Sequence, residues 1–80
     1  MLEKKIMGFK VLFKPALNGY TVVVSDGKSE KRIPLLPDQE QVERTMDALN
    51  RTKIDGNISL EYFSMIVAGC LMTRMKRVFG

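Results

Sequence analysis

Apolar and polar residues alternate near the start of the chain, and this alternation is typical of a half-buried β-strand. Between residues 6 and 14 every odd position is apolar, and these positions are Met7, Phe9, Val11 and Phe13. The even positions of the same segment include Lys10 and Lys14. The segment is therefore predicted to form one strand with an apolar core face and a charged outer face.

Two further strands are predicted after this one. Residues 20–24 form a β-branched run of strand length that is apolar enough on both sides to be the central strand. Asp26 and Gly27 predict a two-residue hairpin turn, and a third strand is expected over residues 29–36. Pro34 lacks an N–H group, which predicts that the third strand lies at an edge and that the strand order is 1-2-3.

The loop length also predicts which side chains of the third strand are buried. Successive side chains point to opposite faces of a sheet, so an even number of loop residues keeps two paired strands in phase. Ile33 and Leu35 are therefore expected on the core face, together with the residues Tyr20, Val22 and Val24.

The second half of the chain shows the period and the start signals of two helices. Asp38 is predicted to cap a first helix over residues 38–51, and Gln41 completes a capping box with it. The buried stripe of this helix is predicted to consist of Val42, Met46 and Leu49.

A second helix is predicted over residues 59–78. Ser59 is its expected cap, with Ile58 and Phe63 as a hydrophobic staple across the cap. The fold predicted for residues 1–80 is thus a single α+β domain with the order β-β-β-α-α. A three-stranded antiparallel meander over residues 5–36 is followed by two helices packed on one face of it.

Between residues 63 and 72 the second helix is apolar around its whole circumference. Such a helix has to be buried on several sides. The sheet and the first helix are expected to cover two of its sides and to leave a third side for a second copy of the chain or another protein. The residues predicted for this protein interface are Met65, Ala68, Gly69, Met72 and Met75.

The composition excludes most catalytic and metal chemistry. The chain contains no His, which is the usual general base and a common zinc ligand. Cys70 is the single cysteine, so no disulfide forms within the chain, which fits a reducing compartment such as the cytoplasm. We therefore expect no enzyme activity, no cofactor and no bound metal.

One segment resembles the second half of a calcium-binding loop, because Asp55 and Gly56 are followed by Glu61. Placing Gly56 at the sixth position of such a loop puts Arg51 and Lys53 at the first two ligand positions. The segment is therefore predicted to be a turn that leads into the second helix.

An excess of basic residues supports an alternative function. Thirteen Lys and Arg against nine Asp and Glu give a formal net charge of +4, which attracts anions. The predicted sheet and its turns carry basic residues suited to contacts with nucleic-acid phosphates, namely Lys10, Lys14, Lys28, Lys31 and Arg32. The same residues also fit a solvated face that discourages pairing between sheet edges.

Residues 20–49 look loosely similar to the strand-turn-strand-helix pattern of two families, the arm-binding domains of phage-type integrases and the AP2-like domains. The similarity rests on the turn at Asp26 and Gly27 and on the charged first helix. It implies contact with nucleic acid through a basic three-stranded sheet. Pro34 and the long second apolar helix depart from that pattern, so the likeness serves as an analogy only.

No segment has the length and composition of a membrane span or a signal peptide. The longest apolar run, residues 65–72, has eight residues, whereas a spanning helix needs roughly twenty. The basic cluster at residues 74–77 suits a helix C-terminus without any anionic membrane surface. The leading prediction is a small non-enzymatic protein-interaction module of the cytoplasm. We expect it to be a regulatory or accessory factor that forms a homodimer and binds a further, unidentified protein.

Overall fold

The computed structural model describes residues 2–53 and 57–74 and shows an antiparallel sheet with two helices, an α+β fold. The strands are β1 (Leu2–Ile6), β2 (Phe9–Ala16), β3 (Gly19–Ser25) and β4 (Glu30–Ile33). The helices are α1 (Gln39–Arg51) and α2 (Leu60–Arg74). The strands lie in the order β1-β2-β3-β4, and each pairs antiparallel with its neighbours.

The predicted three-stranded meander is wrong, because the sheet has a fourth strand at the start of the chain. Residues 6–14 do not form one strand, since Met7 and Gly8 make a two-residue turn that joins the pair Ile6 and Phe9. Both turn residues have positive φ angles, 50° and 87°, as a tight hairpin turn requires. Met7 is therefore exposed in the turn and does not lie on the core face.

The turn between β3 and β4 has four residues, where two were predicted. Ser25 pairs with Glu30, and Asp26 occupies the first loop position. The Asp26 carboxylate accepts hydrogen bonds from the backbone N–H groups of Lys28 at 2.9 Å and Ser29 at 2.8 Å. This local hydrogen bonding favours the longer loop, because it satisfies backbone donors that a two-residue turn would place in the ladder.

The expected facing of the last strand is confirmed, because four is also an even number of loop residues. Ile33 pairs with Val22 and is buried on the same face. β4 lies at an edge of the sheet as predicted, but it ends at Ile33 and not at residue 36. The N–H of Leu35 donates to the carbonyl of Ile33 at 2.8 Å, so the chain turns around Pro34 and leaves the sheet.

Both helix starts are confirmed. Asp38 caps α1, with its carboxylate accepting from the N–H of Gln41 at 2.8 Å and its own N–H donating to the Gln41 side chain at 2.7 Å. At α2, the Ser59 hydroxyl accepts from the N–H of Tyr62 at 3.1 Å. The end predicted for the second helix, near residue 78, lies outside the described residues.

The core lies between one face of the sheet and the inner faces of both helices. The ring of Phe9 in β2 stacks on that of Phe63 in α2, with 4.4 Å between centroids and 11° between planes. The sheet contributes six residues to the buried cluster, namely Phe9, Val11, Phe13, Val22, Val24 and Ile33. The helices contribute Val42, Leu49, Phe63, Val67 and Leu71.

The inner face of α1 differs from the predicted stripe at one position. Val42 and Leu49 are buried as expected, but Met46 is only partly buried and Thr45 is fully buried. The Thr45 hydroxyl oxygen has no hydrogen-bond partner among residues 2–53 and 57–74. A buried hydroxyl without a partner lowers stability, because it has lost its hydrogen bonds to water.

Gly19 lies where the chain that leaves the sheet passes back over the start of β3. Its φ angle is +139°, and a Cβ at this position would lie 2.6 Å from the carbonyl oxygen of Pro37. The same carbonyl accepts a hydrogen bond from the N–H of Tyr20 at 3.0 Å. Only a residue without a side chain fits this crossing in the backbone conformation observed.

The substitution Gly19→Ala is expected to lower the free energy of unfolding by roughly 2–3 kcal/mol, because it combines an unfavourable φ angle with a backbone clash. Urea denaturation followed by circular dichroism measures this change. Gly27→Ala is the matched control, since Gly27 also has a positive φ but a Cβ there meets nothing within 4 Å. A loss at Gly19 no larger than the loss at Gly27 would contradict the proposed clash.

The substitution Thr45→Val is expected to raise the free energy of unfolding by about 1 kcal/mol, because a methyl group of similar size replaces the unpartnered buried hydroxyl. The same denaturation experiment measures it. Thr45→Ser, which keeps the hydroxyl and removes a buried methyl, is expected to lower stability instead. A destabilised Val variant would show that the hydroxyl has a partner in solution.

Candidate interaction surfaces

One surface is the outer face of α2, here called the α2 stripe and made up of Tyr62, Met65, Gly69 and Met72. These residues are spaced by three, four and three positions, so they lie on one side of a helix. The exposed fractions are 54% for Tyr62, 67% for Met65 and 63% for Met72. Large apolar side chains are thus exposed side by side along the helix.

The opposite side of α2 is buried. Phe63, Val67 and Leu71 have no exposed surface, and Ser64 is almost completely buried beside them. This side lies against α1 and the sheet, including Phe9 of β2. The prediction that the rest of the fold covers α2 only in part therefore agrees with the structure.

The predicted interface residues do not all lie in the α2 stripe. Met65, Gly69 and Met72 do, whereas Ala68 is partly buried at its border. Met75 lies outside the described residues. Tyr62 was missed by the sequence reasoning, although its position three residues before Met65 places it on the same side of the helix.

The α2 stripe is nearly uncharged, and at Gly69 it has no side chain. Glu61 is the one charged residue between positions 60 and 72. A Cβ built at Gly69 meets no atom within 4 Å among the described residues, its own helix backbone and chain neighbours aside. The packing described within this chain therefore does not require a glycine there, although glycine inside a helix is unfavourable by about 1 kcal/mol relative to alanine.

Cys70 lies beside a groove of about 510 Å³ between α1 and α2. Two arginines line this groove, and both are held in ion pairs along α1. Arg44 contacts Glu40 at 2.7 Å and Arg51 contacts Asp47 at 3.0 Å. Cys70 itself is partly buried against the apolar core.

The second surface is the face of the sheet that carries no helix, here called the open face. The register places Lys10, Lys14 and Arg32 on it, and the half-buried pair of Leu12 and Val23 lies between them. Two carboxylates, those of Glu3 and Glu30, occupy positions on the same face.

The other two nucleic-acid candidates are not on the open face. Lys31 pairs with the buried Val24, so its register position belongs to the face that the helices cover. Lys28 lies in the loop between β3 and β4. Three of the five predicted basic residues are therefore brought together.

The Asp26 carboxyl has a pKa below that of an ordinary aspartate. The N–H groups of Ser29 and Lys28 donate to its carboxylate and hold its pKa below the usual value. Because these bonds favour the charged form, they persist above the pKa of the unfolded chain and are lost as the pH falls through the lowered pKa. The Asp26 charge is thus directed at the backbone of its own loop.

Among residues 2–53 and 57–74 the structure brings together no group of three or more potential metal ligands. Asp55 and Gly56 of the calcium-like segment lie outside these ranges. Within the same ranges, no helix combines the length and the apolar character that a membrane crossing would need. The chain matches no protein-family model, no curated protein and no solved structure at the significance required of a match.

Proposed function

We propose that this chain is a small non-enzymatic protein-interaction module that pairs with a second copy of itself through the α2 stripe. The observation that carries this proposal is the exposure of Tyr62, Met65 and Met72 side by side on one helix face. Contiguous exposed apolar surface of this kind is typical of binding sites. Methionine side chains are flexible and polarisable and adapt readily to a partner surface.

A second copy is a suitable occupant because the α2 stripe is complementary to itself. Met65 and Met72 are placed symmetrically about the point between Ala68 and Gly69. In an antiparallel pair of α2 helices related by a two-fold axis, Met65 of one copy faces Met72 of the other. Gly69 then lies next to the axis, where its missing side chain lets the two helices approach closely.

Charge opposes contact through the basic sheet more than it opposes contact through this segment of α2. Each copy has a formal net charge of +4, so two copies repel each other at most orientations. Residues 60–72 contain the single charge of Glu61, and contact through this segment avoids the lysines of the sheet. A dimer of this kind leaves the open faces free for a further protein, as expected of a regulatory or accessory factor.

The substitution Met65→Glu is expected to weaken the dimer by roughly 30-fold or more, because each copy would bury one uncompensated charge in the interface. Sedimentation equilibrium over a range of protein concentrations measures the dissociation constant. Met72→Glu is expected to have the same effect, since the two residues face each other in the proposed dimer.

Leu17→Glu is the matched control. Leu17 is 96% exposed in the turn between β2 and β3, outside the α2 stripe, and its substitution is expected to leave the dissociation constant unchanged. An unsubstituted chain that stays monomeric at all concentrations, or an equal effect of all three substitutions, would contradict the proposal.

A second candidate function, binding of duplex nucleic acid, is supported by the register that aligns Lys10, Lys14 and Arg32 on the open face. Lys10 and Lys14 lie four residues apart on β2, about 13 Å along the strand, and Arg32 lies two strands away, about 10 Å across the sheet, so the three side chains can contact different phosphates of one backbone. The apolar pair Leu12 and Val23 between them offers no aromatic ring for base stacking, so backbone contacts would dominate.

For this candidate, binding to a fluorescent DNA duplex should weaken as the salt concentration rises. Lys14→Gln and Arg32→Gln are each expected to reduce the slope of log K against log salt by about 0.9, the value for one phosphate contact. Lys31→Gln removes the same charge from the other face and should change the slope less. Binding that is indifferent to salt, or equally sensitive to all three changes, would reject a contact through the open face.

A further inference from the structure

A small cavity lies at one end of the open face, between the turn at Met7 and Gly8 and the loop that joins β3 to β4. Its volume is about 270 Å³. The residues that line it are Lys5, Gly8, Phe9, Lys10, Ser25 and Gly27. This volume is below the range of about 300–1,000 Å³ that is usual for drug-sized ligands, so the cavity suits a small group.

Two lysines face each other at this cavity. Lys5 of β1 is directly opposite Lys10 of β2 in the ladder, and both occupy positions on the open face. Like charges opposite one another across two strands destabilise a sheet. An anion bound between the two ammonium groups would remove this repulsion and gain two charge-assisted hydrogen bonds.

A hydroxyl donor is held at the same cavity. Ser25 pairs with Lys10 on the other side of β2, so the three side chains form one row across the sheet. The Ser25 oxygen accepts a hydrogen bond from the N–H of Gly27 at 3.1 Å. Because that oxygen is already an acceptor, its own hydrogen is available to donate to a ligand.

Two of the residues that line the cavity, Gly8 and Gly27, add no side chain to it. Gly8 and Gly27 have φ angles of 87° and 93°, and a Cβ built on either meets no atom within 4 Å among the described residues. Each glycine therefore borders empty space and not packed side chains.

Three carboxylates lie near the cavity, but none of them is among the six residues that line it. The Glu3 carboxylate is 4.0 Å from the Lys5 ammonium group, and both side chains are exposed, so this ion pair is weak. Glu30 is opposite Ser25 on the open face and is exposed. The Asp26 carboxylate accepts hydrogen bonds from its own loop.

We propose that this cavity binds a phosphate group, held by the ammonium groups of Lys5 and Lys10 and by the hydroxyl of Ser25. The site is separate from the α2 stripe and does not depend on pairing of the chain. The phosphate group comes either from free phosphate or from the backbone of a nucleic acid.

The test is a titration of ¹⁵N-labelled protein with sodium phosphate, followed by amide chemical shifts and compared with sodium chloride at the same ionic strength. Saturable shifts confined to Gly8, Lys10, Ser25 and Gly27 are expected. Shifts that rise without saturation, or that chloride reproduces, would overturn the proposal.

Lys5→Gln and Lys10→Gln are each expected to raise the dissociation constant for phosphate roughly tenfold, since each removes one charge-assisted hydrogen bond. Lys31→Gln is the matched control, because it removes one positive charge from a position on the other face of the sheet. Equal weakening by all three variants would show diffuse attraction to the net charge and would overturn the site.

A second titration distinguishes the two sources of the phosphate group. If the site takes a nucleic-acid backbone, a short DNA duplex should displace inorganic phosphate and should itself bind less tightly to the Lys5→Gln variant. If it takes free phosphate, the duplex should leave the phosphate shifts unchanged. Met65→Glu is expected to keep phosphate binding, so failure of the proposed dimer would not be confused with failure of this site.

Discussion

The structure depends on covering one face of a four-stranded sheet with only two helices. Burial of apolar surface is the main favourable contribution to folding, and here it is concentrated in a single layer between sheet and helices. The stacked rings of Phe9 and Phe63 lie in that layer and join the second strand to the second helix. Residues 2–53 and 57–74 leave two outer surfaces uncovered, one on the helices and one on the sheet.

These two outer surfaces differ in chemistry: the one on α2 is apolar, and the one on the sheet is basic. The α2 stripe is apolar, although the solvent side of a helix is usually polar. Successive side chains of a strand point to opposite faces of the sheet. The lysines and the arginine on the open face therefore alternate along the strands with the valines and phenylalanines that are buried on the core face. The surfaces point away from each other, with the core between them. Contact through one leaves the other accessible.

The sequence predicted the helix starts and the facing of the sheet, because these depend on local chemistry. Asp38 and Ser59 satisfy the free N–H groups of the helices from within a few residues. The facing of Ile33 depends only on whether the loop length is even or odd. The fourth strand was missed because Met7 continues the apolar alternation across a turn. The turn depends on positive φ angles at Met7 and Gly8, and the hydropathy pattern carries no information about φ angles. Thr45 was missed because hydropathy disfavours a hydroxyl at a buried position, and packing between the helices overrides this preference.

The candidate surfaces could be predicted only in part, for a related reason. The excess of apolar residues in α2 is visible in the sequence, but which of them remain exposed depends on the side against which α1 and the sheet pack. The Lys5 and Lys10 pair depends on the register of a hairpin whose turn was not recognised.

The crossing of Pro37 over Gly19 links the stability of the sheet to that of the helices. The connecting segment is tied to the third strand by the bond from Tyr20 to Pro37, one residue before the cap of the first helix. The start of the helical layer is therefore fixed to the sheet by a hydrogen bond and is not joined to it by a flexible linker alone. We expect the sheet and the helices to unfold in one cooperative step, because the hydrogen bond between Tyr20 and Pro37 has to break before either part separates from the other.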